Sequence, residues 1–383
     1  MITENGTTKQ NVTSGFYVAT AFYVSVITFC SVLFNSMACY ILATKFQGWK
    51  PQMRILFSMF LGDAIAPAIA YPLVVYSNAV KEWSLGGKAC SYYAFTTSVG
   101  GIGSIYHLVL LSAERYIGIV YPFAYQEITR TKNVTRGLII AWSLATVSSV
   151  FPLFGWSSYK IEGVGTSCSF DLFAESWSDK SFGIYLITVA FAIPITMIFI
   201  LNLGFLKVVF KLTECPCRKN SNQREVQHSA VCQLGKDRKI ANQMCILVIA
   251  LLFSFLSSWL PYAIVSALGI IGKLPRDNAI AISVPSYFAK SYTIYDPLLY
   301  FFLDKKFRNA VKRVCCGNTR TEAGDIPPTG IVTVGHTATQ GLEERKEDYR
   351  SEGRQQDEVL GEAAEPFGDE ILSINAMIAQ YQG

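Results

Sequence analysis

Residues 279–303 read AIAISVPSYFAKSYTIYDPLLYFFL, a run in which Lys290 and Asp296 are the only charged residues. A bilayer core about 30 Å thick requires about 20 mostly apolar residues in helical form, and this run meets that requirement. Six earlier segments meet it too. The seven predicted spans are Phe22–Ala43, Ile55–Tyr76, Tyr92–Ile119, Gly137–Phe154, Phe182–Val209, Ala241–Leu268 and Ala279–Leu303. We therefore predict an all-α bundle of seven transmembrane helices over residues 21–303.

Composition and charge agree with a membrane protein. Hydrophobic residues make up 51% of the chain and charged residues 16%, whereas soluble proteins carry roughly 25% charged residues. Lysine and arginine concentrate in the loops after the first, third and fifth spans and in the segment after the seventh. Basic loops stay in the cytoplasm, so residues 1–20 are expected outside the cell and the first span is expected to act as its own signal. Topology thus explains the net charge of +5, and nucleic-acid binding is not implied.

Several modification sites follow from this topology. Asn5 and Asn11 begin Asn-x-Thr tripeptides in the extracellular segment, which makes them candidate glycosylation sites. Residues 304–316 alternate apolar and basic positions at helical spacing, as an amphipathic helix on the membrane surface would. Cys315 and Cys316 end this segment and are either palmitoylated or free thiols.

The sequence also predicts one disulfide and an acidic tail. Cys90 at the start of the third span and Cys168 in the loop before the fifth form the pair on the oxidising face, so we predict a disulfide across the mouth of the bundle. Residues 317–383 are rich in acids and poor in aromatics, and this cytoplasmic tail is expected to be disordered.

Lys290 is the residue with the strongest chemical signal. An ammonium group in the middle of a span costs roughly 2.5–3.5 kcal/mol on insertion scales. One interpretation is structural: a buried lysine that is neutral or paired with a carboxylate. The other is covalent, because lysine amines form Schiff bases with carbonyl ligands. Burial alone leaves both open.

Motifs in the other spans favour the covalent interpretation. They are Asn35, Asp63, Glu114-Arg115-Tyr116, Trp142, Trp259-Leu260-Pro261-Tyr262 and Asp296-Pro297-Leu298-Leu299-Tyr300. Taken together and in this order, they resemble the rhodopsin-like G-protein-coupled receptors over about residues 20–316. Within that family the chain is similar to opsins, because Lys290 lies six residues before Asp296 and residues 155–171 resemble the loop that covers the opsin pocket.

The resemblance implies a covalent 11-cis-retinal chromophore on Lys290. The pocket positions that it implies are Tyr93, Gly101, Glu162, Phe191, Trp259, Tyr262, Ser286 and Lys290. Activation is expected to involve Asp63, Asp296, Pro297 and Tyr300. The inner face around Glu114, Arg115 and Tyr116 is expected to meet a heterotrimeric G protein.

A protonated Schiff base needs a nearby anion. Vertebrate visual opsins supply a glutamate at the position that Tyr93 occupies here, and a tyrosine with an unperturbed pKa near 10 is not expected to ionise there. Many invertebrate opsins pair the same tyrosine with a glutamate six residues before the loop cysteine. This is Glu162, which we predict to be the counterion.

The resemblance implies a receptor in the plasma membrane of a photoreceptor, with a receptor kinase, arrestin and membrane lipid as further partners, and no enzymatic activity. Three alternatives remain at this stage. One is a receptor for a diffusible ligand, with Lys290 structural. Another is a retinal photoisomerase. A light-driven ion pump is disfavoured, because the third span has no acid between Cys90 and Ser112.

Overall fold

A computed structural model of the protein describes residues 12–46, 48–173, 175–213, 224–275 and 277–315. Its elements, in chain order, are α1 (Ser14–Lys45), α2 (Pro51–Val80), α3 (Gly86–Val120), α4 (Pro122–Ile128), α5 (Thr131–Val150), β1 (Tyr159–Glu162), β2 (Ser167–Phe170), α6 (Trp177–Ile187), α7 (Ile193–Thr213), α8 (Arg224–Ile270), α9 (Ala279–Ala289), α10 (Tyr292–Leu303) and α11 (Lys305–Cys315).

The helices form the predicted seven-helix bundle. Within the described residues, six helical segments are each long and apolar enough to cross a membrane, and α6 and α7 together form one of them. The seventh crossing is made by α9 and α10. Outward-facing Phe22 and Phe199 are 72% and 57% exposed, as expected of side chains that face lipid.

Helix α3 lies at the centre of the bundle. It contacts α2, α5, α7 and α8, and it buries Tyr93, Ile105 and Leu111 almost completely. Because α3 passes from the outer to the inner end of this core, it can contribute side chains to sites at both ends.

The helix ends differ from the predicted spans. Helix α1 begins at Ser14 rather than Phe22, because the helix extends about two turns beyond the predicted span through residues of mixed polarity. The fourth crossing runs as α5 from Thr131 and gives way at Phe151–Leu153 to a short 3₁₀ turn that contains Pro152. The predicted span, Gly137–Phe154, therefore lies closer to the carboxyl terminus than the observed helix does.

Two crossings are irregular, which the sequence analysis did not predict. A π turn at Thr188–Ala192 joins α6 to α7. The seventh crossing, predicted as one helix, is interrupted at Lys290 and Ser291. There the amide of Lys290 donates to the carbonyl of Tyr287 at 3.2 Å, three residues earlier. An α-helical amide bonds four residues earlier, so the helix is wound more tightly at this point.

The loop between the fourth and fifth crossings folds as an antiparallel hairpin in which Glu162 pairs with Ser167 and Ile161 with Cys168. The turn contains Gly163 (φ 54°) and Gly165 (φ 86°), left-handed conformations that glycine adopts at little cost. The predicted disulfide between Cys90 and Cys168 is confirmed, with Cα atoms 5.5 Å apart. It fastens β2 to the start of α3.

Helix α11 confirms that an apolar stripe follows the seventh crossing, since Phe307, Ala310 and Val311 are buried. The Asp304 carboxylate caps this helix by accepting from the Phe307 amide at 2.7 Å. Asn5, Asn11, Cys316 and the tail 317–383 lie outside the described residues, and Cys315 is the last residue of α11. Glycosylation, palmitoylation and the character of the tail therefore stay predictions.

Candidate functional site

A cavity lies under the hairpin, between α3, the π turn, α8 and α9. Its volume of about 130 Å³ is roughly ten times what one water molecule needs, so it suits a ligand of several atoms. All eight predicted pocket residues line it: Tyr93, Gly101, Glu162, Phe191, Trp259, Tyr262, Ser286 and Lys290. Residues far apart in the chain are thus brought to one site.

Lys290 enters this cavity from the break in the seventh crossing and is 7% exposed. At the break the Ile294 amide donates to the carbonyl of Ser291 at 3.1 Å, and the carbonyl of Lys290 accepts from the hydroxyls of Thr293 (3.1 Å) and Tyr71 (3.4 Å). Buried backbone groups need such partners. These two donors therefore stabilise the backbone conformation that carries the lysine.

The Lys290 ammonium has polar and aromatic neighbours. Its Nζ donates to the carbonyl of Ser286 at 3.1 Å and to the Ser286 Oγ at 3.3 Å. It also lies 5.1 Å from the centre of the Tyr287 ring and 5.8 Å from that of Tyr93. Aromatic faces within about 6 Å attract a cation, so this environment partly compensates for the loss of water.

Glu162 is the acidic residue of this site. It is the last residue of β1, it is 5% exposed, and its two oxygens accept from the hydroxyls of Ser286 (2.5 Å) and Tyr262 (3.4 Å). Within the described part of the chain, Glu162 and Lys290 do not form a direct ion pair. The Ser286 hydroxyl joins them by accepting from Lys290 and donating to Glu162.

Tyr93 occupies the position at which vertebrate visual opsins carry a glutamate, and its side chain contributes no charge. Its hydroxyl accepts from Ser167 at 3.4 Å, and its ring packs 5.6 Å from that of Trp83. Glu162 is the acid that lines the cavity, which agrees with the expectation that it balances the lysine.

The far end of the cavity is aromatic. The Trp259 ring packs against those of Phe255, Tyr262 and Tyr292 with centres 5.6–6.2 Å apart. A Cβ atom on Gly101 would lie 2.5 Å from Trp259, so a larger residue would displace the indole. Flat apolar walls of this kind suit a flat, conjugated ligand.

Phe191 reaches the cavity from the π turn. That turn frees the carbonyl of Val189, which accepts from the Tyr106 hydroxyl at 2.8 Å. Pro194 follows the turn, and because proline lacks an amide proton it favours such irregularities. It is the one sequence signal that could have predicted the turn.

The hairpin that covers the cavity is fixed at several points. Besides the disulfide, the Val164 amide donates to the Ser283 hydroxyl at 2.8 Å, and a Cβ on Gly163 would overlap that hydroxyl. On the outer edge Lys160 forms an ion pair with the buried carboxylate of Asp171 at 2.5 Å. This hydrogen bond raises the pKa of Lys160. These contacts hold Glu162 in place.

The predicted activation residues lie deeper in the bundle. Asp63 is fully buried and accepts from Ser104 at 2.6 Å, and the side chain of Tyr292 lies near its carboxylate. Since Tyr292 touches Trp259, side-chain contacts connect the cavity to this buried carboxylate. Asp296 is 3% exposed.

At the inner end, Glu114 and Arg115 have different partners. Glu114 accepts from the Tyr125 hydroxyl of α4 at 2.5 Å, whereas Arg115 donates to the Tyr300 hydroxyl at 3.4 Å. Burial and the charge of Glu114 raise the pKa of Tyr125, so the phenol keeps the proton that it donates. Tyr116 packs beside Gly204 of α7, where a Cβ would lie 2.6 Å from its ring. The sequence analysis did not identify Tyr125.

Residues 34–300 match the family described as 7 transmembrane receptor (rhodopsin family). The chain is 29% identical over 279 residues to a green-sensitive opsin of Oryzias latipes, covering 72% of this chain and 76% of that protein. It is 28% identical over 305 residues to a protein of Mizuhopecten yessoensis named rhodopsin, G0-coupled, with coverages of 79% and 73%. A solved structure of squid rhodopsin aligns with a TM-score of 0.71 at 23% identity, over 79% of this chain and 86% of that one, which indicates a shared fold.

Proposed function

Because this chain belongs to the rhodopsin family of seven-transmembrane receptors and resembles opsins along most of its length, we propose that it senses light with retinal bound to Lys290. Members of this family are receptors rather than enzymes. The observation that carries the proposal is a buried lysine inside an apolar cavity, joined through one hydroxyl to a buried carboxylate.

The residues present fit such a ligand. The cavity is lined by an amine and by aromatic rings, and Gly101 allows the Trp259 ring to pack directly against α3. Retinal would supply a light-absorbing polyene whose aldehyde condenses with the Lys290 amine, with 11-cis geometry in the dark. The protein would hold this group between Lys290 and the rings around Trp259 and exclude water from its nitrogen.

Glu162 would keep a proton on the Lys290 nitrogen. Its carboxylate is buried, where Coulomb attraction is stronger than in water, and Ser286 keeps it within two hydrogen-bond lengths of that nitrogen. The Tyr262 hydroxyl donates to the other oxygen and helps to hold the carboxylate in this position. Glu162 is therefore our proposed counterion.

Signalling would use the contacts that lead inward from the cavity. Displacement of Trp259 would move Tyr292 and disturb its contact with Asp63. The contact between Arg115 and Tyr300 would then break, and this would open the inner face to a heterotrimeric G protein. A receptor kinase and arrestin would act on the same side. The receptor would lie in the plasma membrane of a photoreceptor, with its amino terminus outside.

The test measures light-driven nucleotide exchange by a heterotrimeric G protein in membranes that contain the full chain and 11-cis-retinal. We expect a visible absorption band and exchange that depends on illumination, both lost in Lys290→Ala and both kept in Lys273→Ala, a change at an exposed lysine. A normal visible band in Lys290→Ala would refute the retinal site.

Two further outcomes separate the alternatives. A pigment that isomerises retinal but activates none of a broad panel of G proteins would indicate a photoisomerase. A chain that forms no visible band with retinal would indicate a receptor for a diffusible ligand.

A further inference from the structure

The break in the seventh crossing aligns two side chains. The amides of Lys290 and Ser291 donate to carbonyls three residues earlier, those of Tyr287 at 3.2 Å and Phe288 at 3.0 Å. Lys290 has φ −61° and ψ −20°, which are the backbone angles of a 3₁₀ turn. Side chains three residues apart are eclipsed in such a turn. The break therefore places the Tyr287 ring beside the Lys290 side chain.

Tyr287 contacts the amine from behind the cavity. Its ring centre lies 5.1 Å from Lys290 Nζ, compared with 5.8 Å for the ring of Tyr93. Tyr287 is buried in a cluster with Val74 and Trp83, and the described residues that line the cavity include Tyr93 but not Tyr287. A substitution at Tyr287 therefore changes the surroundings of the nitrogen without removing a residue from the cavity wall.

The hydroxyl of Tyr287 fixes the ring to the hairpin. It lies 2.5 Å from the Thr166 hydroxyl, which donates to the side-chain oxygen of Asn78 at 3.1 Å. A threonine hydroxyl has a single proton to donate, so Tyr287 is the donor to Thr166. The Asn78 amide is held in turn because it donates to the Val74 carbonyl at 2.8 Å. The ring is thus held by the turn on its own helix and by the hairpin that carries Glu162.

The other titratable groups around the nitrogen leave a role for a second stabilising contact. Among the described residues, those that titrate and line the cavity with Lys290 are Tyr71 of α2, Tyr93 of α3, Glu162 of β1, Tyr262 of α8 and Tyr292 of α10. Glu162 is the acid in this set, and it reaches the nitrogen through the Ser286 hydroxyl. Attraction between a cation and a ring face is stronger where water is excluded, and Lys290 is buried.

We propose that the Tyr287 ring is a second stabilising partner of the protonated Lys290 nitrogen and, together with Glu162, holds this nitrogen in place beneath the hairpin. The proposal rests on the proposed function, because this nitrogen is the atom that would join retinal. Tyr287 is a positioning residue that forms no bond to the ligand. It should raise the pH at which the pigment loses its proton. The sequence analysis did not identify it.

The test is a spectral pH titration of pigment formed from the full chain and 11-cis-retinal. Tyr287→Met fills a similar space without a ring, so the midpoint between visible and ultraviolet absorption should fall by about one pH unit. Tyr287→Phe keeps the ring, and its midpoint should stay near that of the unchanged protein. The matched control is Phe182→Met, which removes another buried ring of the outer bundle and should lower stability without changing the midpoint.

A ring of unchanged shape provides a second measurement, which does not depend on how well Tyr287→Met folds. Phenylalanines with increasing numbers of fluorine atoms, incorporated at position 287, have progressively less electron density on the ring face. If the ring face attracts the cation, the midpoint should fall stepwise along this series.

Three results would overturn the proposal. A midpoint that stays constant in Tyr287→Met and along the fluorinated series would show that the ring does not act on the cation. An equal fall in Tyr287→Phe would assign the effect to the hydroxyl and its contact with Thr166. An equal fall in Phe182→Met would indicate a general loosening of the outer bundle.

Failure of the proposed function has a different signature, because the unchanged protein would then form no visible band with retinal. In that case the Lys290 amine is titrated directly in the chain without retinal, by NMR of isotope-labelled methyl groups placed on lysine. The Lys290 signal is the one absent from Lys290→Ala. Loss of its proton at lower pH in Tyr287→Met than in Tyr287→Phe would support the role of the ring, and equal midpoints would refute it.

Discussion

Replacement of Glu162 by glutamine tests how the cavity controls charge. Glutamine keeps the shape of the side chain and one oxygen that can accept from Ser286 or from Tyr262, which donate to different oxygens of Glu162, but it removes the negative charge. The largest change is therefore the loss of the Coulomb interaction with the Lys290 nitrogen. We expect the pigment to lose its proton at lower pH and to absorb in the ultraviolet where the unchanged protein still absorbs visible light.

The size of the effect follows from the geometry. Two hydrogen bonds, of 3.3 and 2.5 Å, separate the Lys290 nitrogen from the nearer Glu162 oxygen, so the charges lie at most about 6 Å apart. At an effective dielectric constant of about 20, two unit charges at that distance attract by about 3 kcal/mol. One pH unit corresponds to about 1.4 kcal/mol. The removed carboxylate stabilised the cation, so the spectral midpoint should fall by about two pH units.

The assay is a spectral pH titration of purified pigment in chloride-free buffer. Tyr93→Phe is the control, because the Tyr93 hydroxyl carries no charge and, among the described residues, receives a single long hydrogen bond, from Ser167. The midpoint of this variant should stay near that of the unchanged protein. If Glu162→Gln keeps the visible band over the same pH range, the counterion assignment is wrong. If it does so only when chloride is added, a bound anion has replaced the carboxylate.

Three further predictions concern the supports of the site. Gly163→Ala should weaken folding and lower the spectral midpoint, since the new Cβ would overlap the Ser283 hydroxyl; Gly165→Ala, strained by its φ of 86° but with open space around it, should leave the midpoint unchanged. Joint replacement of Cys90 and Cys168 by serine should destabilise the receptor by about 2–5 kcal/mol in thermal unfolding, whereas Cys30→Ser, at a free thiol, should not. Tyr125→Phe should lower stability by about 1–3 kcal/mol because it removes the hydrogen bond to buried Glu114, and a melting temperature equal to that of Tyr121→Phe would contradict this.

The sequence was sufficient for the architecture. Hydropathy identifies spans because a bilayer imposes a minimum apolar length, and the disulfide was predictable because its two cysteines share the outer face. Both depend on composition and spacing, which the primary structure contains directly. The eight pocket residues, which line one cavity, were instead implied by the resemblance to opsins, and their role in binding stays a prediction.

The contacts that position Lys290 and Glu162 were not predictable in the same way. The break at Lys290 depends on Tyr71, which is more than two hundred positions away in the chain and donates to the freed carbonyl. Ser286 was identified as a pocket residue, but its position between amine and carboxylate depends on how far the hairpin descends into the bundle. Tertiary hydrogen bonds of this kind leave no periodic signal.

In the proposed mechanism, control of the proton and transmission of the signal would depend on different structural elements. Glu162 belongs to a hairpin fixed by the disulfide and by Ser283, whereas Trp259 and Tyr292 belong to α8 and α10 and lead toward Asp63. Movement of Trp259 and Tyr292 would alter the inner face while the disulfide and Ser283 keep the hairpin in place. Helix α8 also contacts the Glu162 carboxylate through Tyr262, so this hydrogen bond is where the proposed counterion and the proposed signalling contacts would be coupled.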